Sequence, residues 1–400
     1  MKKSIKIAVA AALALSASSA FATNGDTMIG VGAKAIGMGG VGIGMSHGAE
    51  SALTNPAMIT SVKGTEVSFG GTVFMPDVKT DMGTGEGSYK SSADLSVVPT
   101  VATAQNVGNG FYWGVGMYGV AGMGTDYRDA NTVSGMNNMN MQTNLQLMQF
   151  VVPLAYKIDG FSVGFAPILQ YGSLDINYVG GGRVGSGVAQ DFGLGYNVGL
   201  GFEANGLTLG ASYKSAIDMD YLGQLSTATA PFAVMGALPA VLNDRLEQPA
   251  EIGAGVSYTT DGHTFAFDYK RIKWSSANGY KDFKWEDQNV YMLGYQYAQD
   301  NWALRAGYNY AKSPIREQNF MAPGGSAMNI FNLLGFPAIV EKHYTIGGTY
   351  AFSDTTSLDL AYVHSPEKSE KFAYSLGGPV GYIETKHKQN AVTAQLNFNF

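Results

Sequence analysis

Ala391-Val392-Thr393-Ala394-Gln395-Leu396-Asn397-Phe398-Asn399-Phe400, the last ten residues of the chain, decide the reading of the fold. Val392, Ala394, Leu396, Phe398 and Phe400 fall on one face of an extended strand, and Thr393, Gln395, Asn397 and Asn399 on the other, because successive side chains of a strand point opposite ways. The same period recurs upstream. Phe192, Leu194, Tyr196, Val198, Leu200 and Phe202 oppose glycines, Asn197 and Glu203. Trp302, Leu304, Ala306, Tyr308 and Tyr310 oppose Arg305, Gly307 and Asn309, and Phe265, Phe267 and Tyr269 oppose Asp268 and Lys270. Such a pattern suits a soluble sandwich, whose apolar faces meet a second sheet. It equally suits an outer-membrane barrel, whose apolar face meets lipid while the polar face lines the lumen.

Turn spacing separates the two. Tight turns fall at 106–110, Asp159-Gly160, Asn205-Gly206, Asp261-Gly262, 299–301 and 353–355, and Asn-Gly and Asp-Gly favour hairpins. Between them lie long segments rich in Gly, Met, Asn and Pro at 122–142, 221–247, 276–286, 314–340 and 366–383. Short and long connections alternate, as in outer-membrane barrels with short periplasmic turns and long external loops. The expected strands are 64–76, 93–106, 111–121, 143–158, 161–178, 189–204, 207–220, 248–260, 263–275, 287–299, 302–313, 341–352, 357–366 and 384–400. The fold expected is therefore all-β, a 14-stranded antiparallel transmembrane barrel spanning residues 64–400, in which every strand edge is paired because the bilayer core offers no water.

Composition agrees with a wall that faces hydrocarbon. Of 400 residues only 14% are charged, against roughly a quarter in soluble domains, while 12% are aromatic and 53 are Gly. No stretch beyond the N-terminus has the roughly 18 apolar residues of a membrane helix. Residues 1–22 combine Lys2, Lys3 and Lys6, an apolar stretch from Ile7 to Leu15 and Ala20-Phe21-Ala22, the layout of a secretory signal cleaved after Ala22. Losing those three lysines moves the formal charge from −6 to −9. The acidic mature chain argues against nucleic acid as a partner. The absence of Cys removes disulfides and thiolate chemistry.

Residues 23–63 lack the period of two and are dense in Gly and Ala. A barrel of about fourteen strands is too wide for its own side chains to fill, so a compact plug inside the lumen is expected. Gly37-Met38-Gly39-Gly40-Val41-Gly42, followed by Asn55-Pro56-Ala57 just before the first strand, resembles the N-terminal hatch of the FadL family, outer-membrane transporters of long-chain fatty acids and aromatic hydrocarbons. Residues 336–352 (FPAIVEKHYTIGGTYAF) also resemble that family, and the likeness covers the whole mature chain. The same glycines match G-x-G-x-x-G, but no strand precedes them and no βαβ unit follows, so a dinucleotide loop is not expected.

The resemblance implies passive uptake of hydrophobic compounds, foremost long-chain fatty acids, with aromatic hydrocarbons or a non-transport structural or adhesin barrel as alternatives. Ligand would be captured at external loops, pass to a site near the hatch and leave sideways through a kink in the third strand. Asn55, Pro56, Ala57, Gly37, Gly39 and Gly42 are then the gating candidates, and Gly114, Gly116 and Gly119 mark the kinked strand. Met136, Met139, Phe232, Met235 and Leu238 are capture candidates, being apolar groups in loops. Arg305, Lys270 and Lys214, on polar strand faces, are candidates for a carboxylate headgroup, although Asp268, Glu203, Asp359 and Glu66 share those faces and ion pairing would use them up. The loop 179–188 is short and glycyl, unlike the larger loop of the family's fatty-acid member, which shifts the expected capture groove to 221–247.

Catalysis is not expected. The five histidines (His47, His263, His343, His364 and His387) are scattered, and neither G-x-S-x-G nor H-E-x-x-H occurs. Ser365-Pro366-Glu367-Lys368 matches S-x-x-K only at a strand end. No metal or cofactor is expected. The other expected partners are outer-membrane lipid, lipopolysaccharide and, through the terminal Phe400, the barrel assembly machinery, with the protein a monomer in the bacterial outer membrane.

Overall fold

The computed structural model describes residues 23–128 and 137–400; the leader and Met136 lie outside them. Fourteen long strands run antiparallel in chain order. They are β1 (Thr65–Asp81), β2 (Ser96–Gly108), β3 (Phe111–Asp126), β4 (Gln142–Val151, continued by Leu154–Ile158), β5 (Phe161–Val179), β6 (Ala189–Ala204) and β7 (Leu207–Lys214). Then come β8 (Glu251–Thr260), β9 (His263–Ile272), β10 (Gln288–Gln299), β11 (Trp302–Ala311), β12 (Lys342–Ser353), β13 (Thr356–Tyr374) and β14 (Gly381–Asn399). β14 pairs with β1 from Glu384↔Asp81 to Asn399↔Glu66, which closes the sheet into a barrel.

The alternation dictates which face is which. Leu194, Phe192, Leu304 and Ile346 point outward and are exposed, whereas Gln395, Asn309, Asp268 and Asp359 point inward and are buried. Four of the short turns carry left-handed pairs, Asn109-Gly110, Asp159-Gly160, Asn205-Gly206 and Asp261-Gly262, the conformation that matches strand twist in a two-residue hairpin. Outward aromatics cluster near these turns (Phe161 with Phe202, Tyr297 with Trp302) and again higher up (Tyr171 with Phe192, Tyr308 with Tyr344). The step from Phe161 to Tyr171 is about 33 Å along a strand, which a tilt of about 40° reduces to about 25 Å, the height of an apolar membrane band.

Strand ends depart from the periodicity for physical reasons. The chain leaves the wall after Lys214 rather than at 220, because Ile217, Met219 and Tyr221 turn inward and are buried in the lumen. β13 runs on to Tyr374, past the expected 366, since its ladder with β14 continues through a register shift between Ser365 and Lys368 above the apolar band. There the outward face is polar, so alternation of apolar residues fades while the backbone stays paired. The S-x-x-K residues lie in that irregularity.

Two helices pack inside the external half of the barrel: α2 (Gln224–Val234) and α3 (Gly325–Ile330), the latter continuing as a wider turn, Phe331–Gly335. A short helix α1 (Ala33–Gly37) belongs to the N-terminal segment.

Candidate functional site

Residues 23–62 lie among inward-facing side chains and are mostly buried. Their attachment begins with Asp268 on β9, whose carboxylate accepts from the N–H groups of Gly42 (2.7 Å), Ile43 (2.6 Å) and Gly44 (3.0 Å). The glycines that suggested a phosphate loop thus present their amides to the protein's own carboxylate. Asn309 donates to the Gly39 carbonyl (3.1 Å), Thr345 to that of Gly37 (3.0 Å) and Ser257 to that of Gly44 (2.7 Å). Glycine on both sides permits this contact: a Cβ on Gly44 would stand 2.2 Å from the Gly255 carbonyl carbon, and one on Gly307 2.1 Å from the Gly39 nitrogen.

Asn55, Pro56 and Ala57 form a second attachment. Asn55 caps the turn Pro56–Ser61 by accepting from Ala57 N–H (3.1 Å), and its amide donates to the carbonyls of Ile43 (2.9 Å) and Leu200 of β6 (3.0 Å). Proline suits the first position of such a turn because its missing N–H is not needed there. Opposite, Gly164 and Gly199 leave the room: a Cβ on Gly199 would overlap the Asn55 Oδ1.

The wall itself is interrupted between β2 and β3. Their ladder runs from Gly108↔Phe111 to Thr100↔Tyr118 and stops. β3 then bulges between Gly119 and Ala121 and steps inside the wall, so that a Cβ on the outward face at Gly119 would meet the inward-facing Val98 side chain of β2 at 2.4 Å. Contact resumes at the top, where Ser92 N–H, in the segment before β2, donates to the carbonyl of Asp126 at the end of β3 (2.8 Å). The kink therefore falls at Val120, beside Gly119, and not at Gly114 or Gly116, which sit within the regular ladder opposite Ala104 and Ala102. Inside the gap the N-terminal segment supplies the missing partner. Thr27 pairs with Ala121, and Gly122 N–H donates to the Asp26 carbonyl (3.1 Å).

Asp26 also reaches upward. Its buried carboxylate accepts from Tyr280 Oη on the β9–β10 loop, from Gln248 Nε2 (3.3 Å) and from Thr27 Oγ1 (3.1 Å). Burial pushes this carboxyl above its ordinary range, against the opposing pull of those donors. Tyr280 lines a very small, wholly apolar cavity of about 10 Å³ together with Met123 of β3, Leu225, Leu246, Phe283, Trp285 and Phe336. Below it, a cavity of about 60 Å³ is bordered by Thr27–Val31, by Val120 at the bulge and by Lys214, Glu251 and Lys270. Met123 and Val120 of the kinked strand thus border the two spaces in turn.

The cations expected in the lumen are there, and each has a partner. Lys214 and Lys270 flank Glu251, the latter at 2.7 Å. Arg305 lies 3.6 Å from Asp359 and donates to Gln296 and Thr349 at 2.7 Å. Lys34 on α1 adds a fourth cation that polarity alone did not single out, 3.7 Å from Asp359, 3.8 Å from Glu50 and 4.0 Å from Glu66. Burial pushes the Glu50 carboxyl up to about 8, more than Lys34 pulls it down.

Among the capture candidates, Phe232 packs between Tyr178 and Phe331, with ring centroids 6.0 and 5.0 Å apart, and Leu238 is buried as well. Met235 is open to solvent, with its neighbour Val234 at 88% exposure and Met321 at 77%. Met139 is half-buried beside Gly180. The short loop after β5 docks on the start of α2, with Ser186 donating to the Gly223 carbonyl (2.9 Å). Asp26, Tyr280 and the edge of β3 that parts from β2 were not found from sequence, since their roles depend on a contact between segments 254 residues apart.

A family model described as "Outer membrane protein transport protein (OMPP1/FadL/TodX)" matches residues 7–400. The chain is 24% identical over 405 residues to the "47 kDa outer membrane protein" of Pasteurella multocida, with 90% of this chain and 92% of the relative covered. It is 22% identical over 427 residues to the "Long-chain fatty acid transport protein" of Escherichia coli strain CFT073, with the same coverage. Among solved structures, a Pseudomonas aeruginosa FadL homologue superposes with a TM-score of 0.70 at 17% identity, covering 94% of this chain and 100% of the other. The Pseudomonas putida toluene transporter TodX gives 0.68 at 19%, covering 93% and 99%.

Proposed function

The chain belongs to the OMPP1/FadL/TodX family of outer-membrane transport proteins, and from that premise we propose that it takes up long-chain fatty acids passively and releases them sideways through the gap between β2 and β3. It is an integral outer-membrane barrel and a transporter of hydrophobic compounds rather than an enzyme. The observation that carries the finer reading is the position of the apolar cavity, which shares Met123 with the strand that leaves the wall.

The energetics favour a dry route. Each CH₂ gains about 0.8 kcal/mol on leaving water, so a water-filled pore opposes entry of an alkyl chain. Exposed Val234, Met235 and Met321 form the first apolar contact, the aromatic cavity the second, and the lower cavity beside Val120 leads to the gap. Residues 23–63 act as a hatch that blocks the straight path to the periplasm. A second reading, uptake of aromatic hydrocarbons, draws support from Tyr280, Phe283, Trp285 and Phe336 around so small a cavity.

Cells producing the chain should accumulate labelled oleate faster than cells without it, and equal rates would overturn the proposal. The tie between Tyr280 and Asp26 links the cavity to the gap: a ligand that displaces Tyr280 frees Asp26, and with it the segment bonded to β3. Tyr280→Phe removes one hydrogen bond to a charged group, worth about 1.5–3 kcal/mol. Amide hydrogen exchange across 122–126 should therefore rise by about tenfold or more. Unchanged exchange there would show that the loop and the gap are uncoupled.

A further inference from the structure

We propose that the outer surface of β14 and β1, at the external edge of the membrane, binds the phosphates of lipid A, the phosphorylated glycolipid of the outer leaflet, through Lys79 and Lys386 with Lys388 and Lys371 beside them. The starting observation is a like-charge contact. Lys386 of β14 stands directly opposite Lys79 of β1, and Lys79 directly opposite Lys90 of the short strand Tyr89–Lys90. Their neighbours Thr80 and Thr385 are fully buried and bonded to each other in the lumen (2.8 Å), so by alternation the lysines point outward. The Lys79 and Lys386 side chains are 43% and 48% exposed. Three ammonium groups thus share one height on one face, although like charges directly opposite one another destabilise a sheet. An anion seated between them reverses that cost.

The chain's own acids do not use these donors up. Lys90 is taken by Asp94 at 2.7 Å. Asp77 serves two lysines, Lys388 at 3.1 Å and Lys79 at 3.9 Å. Glu384 already accepts from Ser369 Oγ at 2.9 Å and lies 4.0 Å from Lys386. An ammonium carries three N–H donors, and contacts of 3.9 and 4.0 Å are too long to be hydrogen bonds. Among the described residues, then, Lys79 and Lys386 each meet a carboxylate only at that longer range. Lys371, directly across the ladder from Glu384, sits over the Tyr382 ring, 5.1 Å from its centroid. Glu384 and Asp81 face each other one row higher and close the cationic patch from above.

Height selects the ligand. Phe69 of β1 stacks on Phe398 of β14 near the short turns, with ring centroids 5.9 Å apart, and Lys79 lies ten residues further along β1. That step is about 33 Å along a strand, or about 25 Å of height at a tilt of about 40°, the full depth of the apolar band. Lys79 and Lys386 therefore stand where the outer headgroups begin. Below them the same face carries Asp77 and Lys388, then Met75 and Asn390, then exposed Val73 and Val392. Charged, polar and apolar rows in that descending order match a lipid whose phosphates lie above its acyl chains. Lysine suits the place as well, because its stem packs on apolar surface while its head stays among polar groups. A soluble anion would use the upper row alone; the lipid uses all of them.

The test compares binding of diphosphorylated lipid A and of its dephosphorylated form to the purified barrel in neutral detergent, read by native mass spectrometry. A lysine at an anionic lipid surface is worth about fivefold in affinity. Lys79→Gln/Lys386→Gln should therefore weaken lipid A binding about thirtyfold and leave the dephosphorylated lipid unaffected. Lys79→Arg/Lys386→Arg should retain binding, and Lys63→Gln, at the opposite end of β1, should not change it. Because the glutamines remove the like-charge contact, that variant should melt no lower than the unaltered protein in detergent alone, while lipid A should raise the Tm of the unaltered protein only. Equal binding of the two lipids by the unaltered protein, or an undiminished affinity for lipid A in the glutamine variant, overturns the inference. Displacement of lipid A by millimolar inorganic phosphate would assign the lysines to a soluble anion and overturn it too.

Discussion

Deletion of residues 23–54 is expected to convert the protein from a closed barrel into a steadily conducting pore in planar bilayers. Fourteen strands enclose more space than their own side chains fill, and the space is occupied by this segment. It is held by Asp268, by Asn309, Thr345 and Ser257, and through Asn55 by Leu200. The milder change Asp268→Leu leaves the N–H groups of Gly42, Ile43 and Gly44 without their acceptor, at about 1–3 kcal/mol for each one that stays buried. Openings of the hatch should then become at least about tenfold more frequent, seen as bursts of conductance between closed periods. A deleted barrel that stays electrically silent would mean that something other than this segment closes the lumen. An intact barrel with a large constant conductance would contradict the hatch outright.

How far the sequence was legible depends on which physical rule wrote each part. The alternation Val392, Ala394, Leu396, Phe398 against Thr393, Gln395, Asn397 is imposed by lipid on one side and a polar lumen on the other, so the strands and their number could be read. Turn chemistry was equally local: the Asp159-Gly160 and Asn205-Gly206 pairs need left-handed backbone, and they have it. Strand ends were legible only where lipid sets them. β13 continues above the membrane, where Lys368 and Glu370 face water and no apolar period remains.

The site was legible in its polar residues and opaque in its connections. Arg305, Lys214 and Lys270 could be placed on the lumen face, and the abundance of acids on that face foretold their pairing. The kink could not be placed: glycines at 114, 116 and 119 were equivalent by composition, and only the loss of pairing beyond Tyr118 distinguishes the last of them. Asp26 gave no signal because its partners, Gly122, Gln248 and Tyr280, are brought to it by the closure of the barrel.

Stitching β2 to β3 across the gap is the second large effect expected and the most direct test of sideways release. A Cβ at Gly119 would lie 3.6 Å from the Cβ of Val98, close to the mean of about 3.8 Å in disulfides, and the chain has no other Cys to interfere. The measurement is uptake of labelled oleate by cells producing Val98→Cys/Gly119→Cys, before and after reduction. With the disulfide formed, uptake should fall to the level of cells lacking the protein, and reduction should restore it. Undiminished uptake through the oxidised barrel would show that the ligand leaves by another path, past the hatch toward the periplasm, and would contradict lateral release.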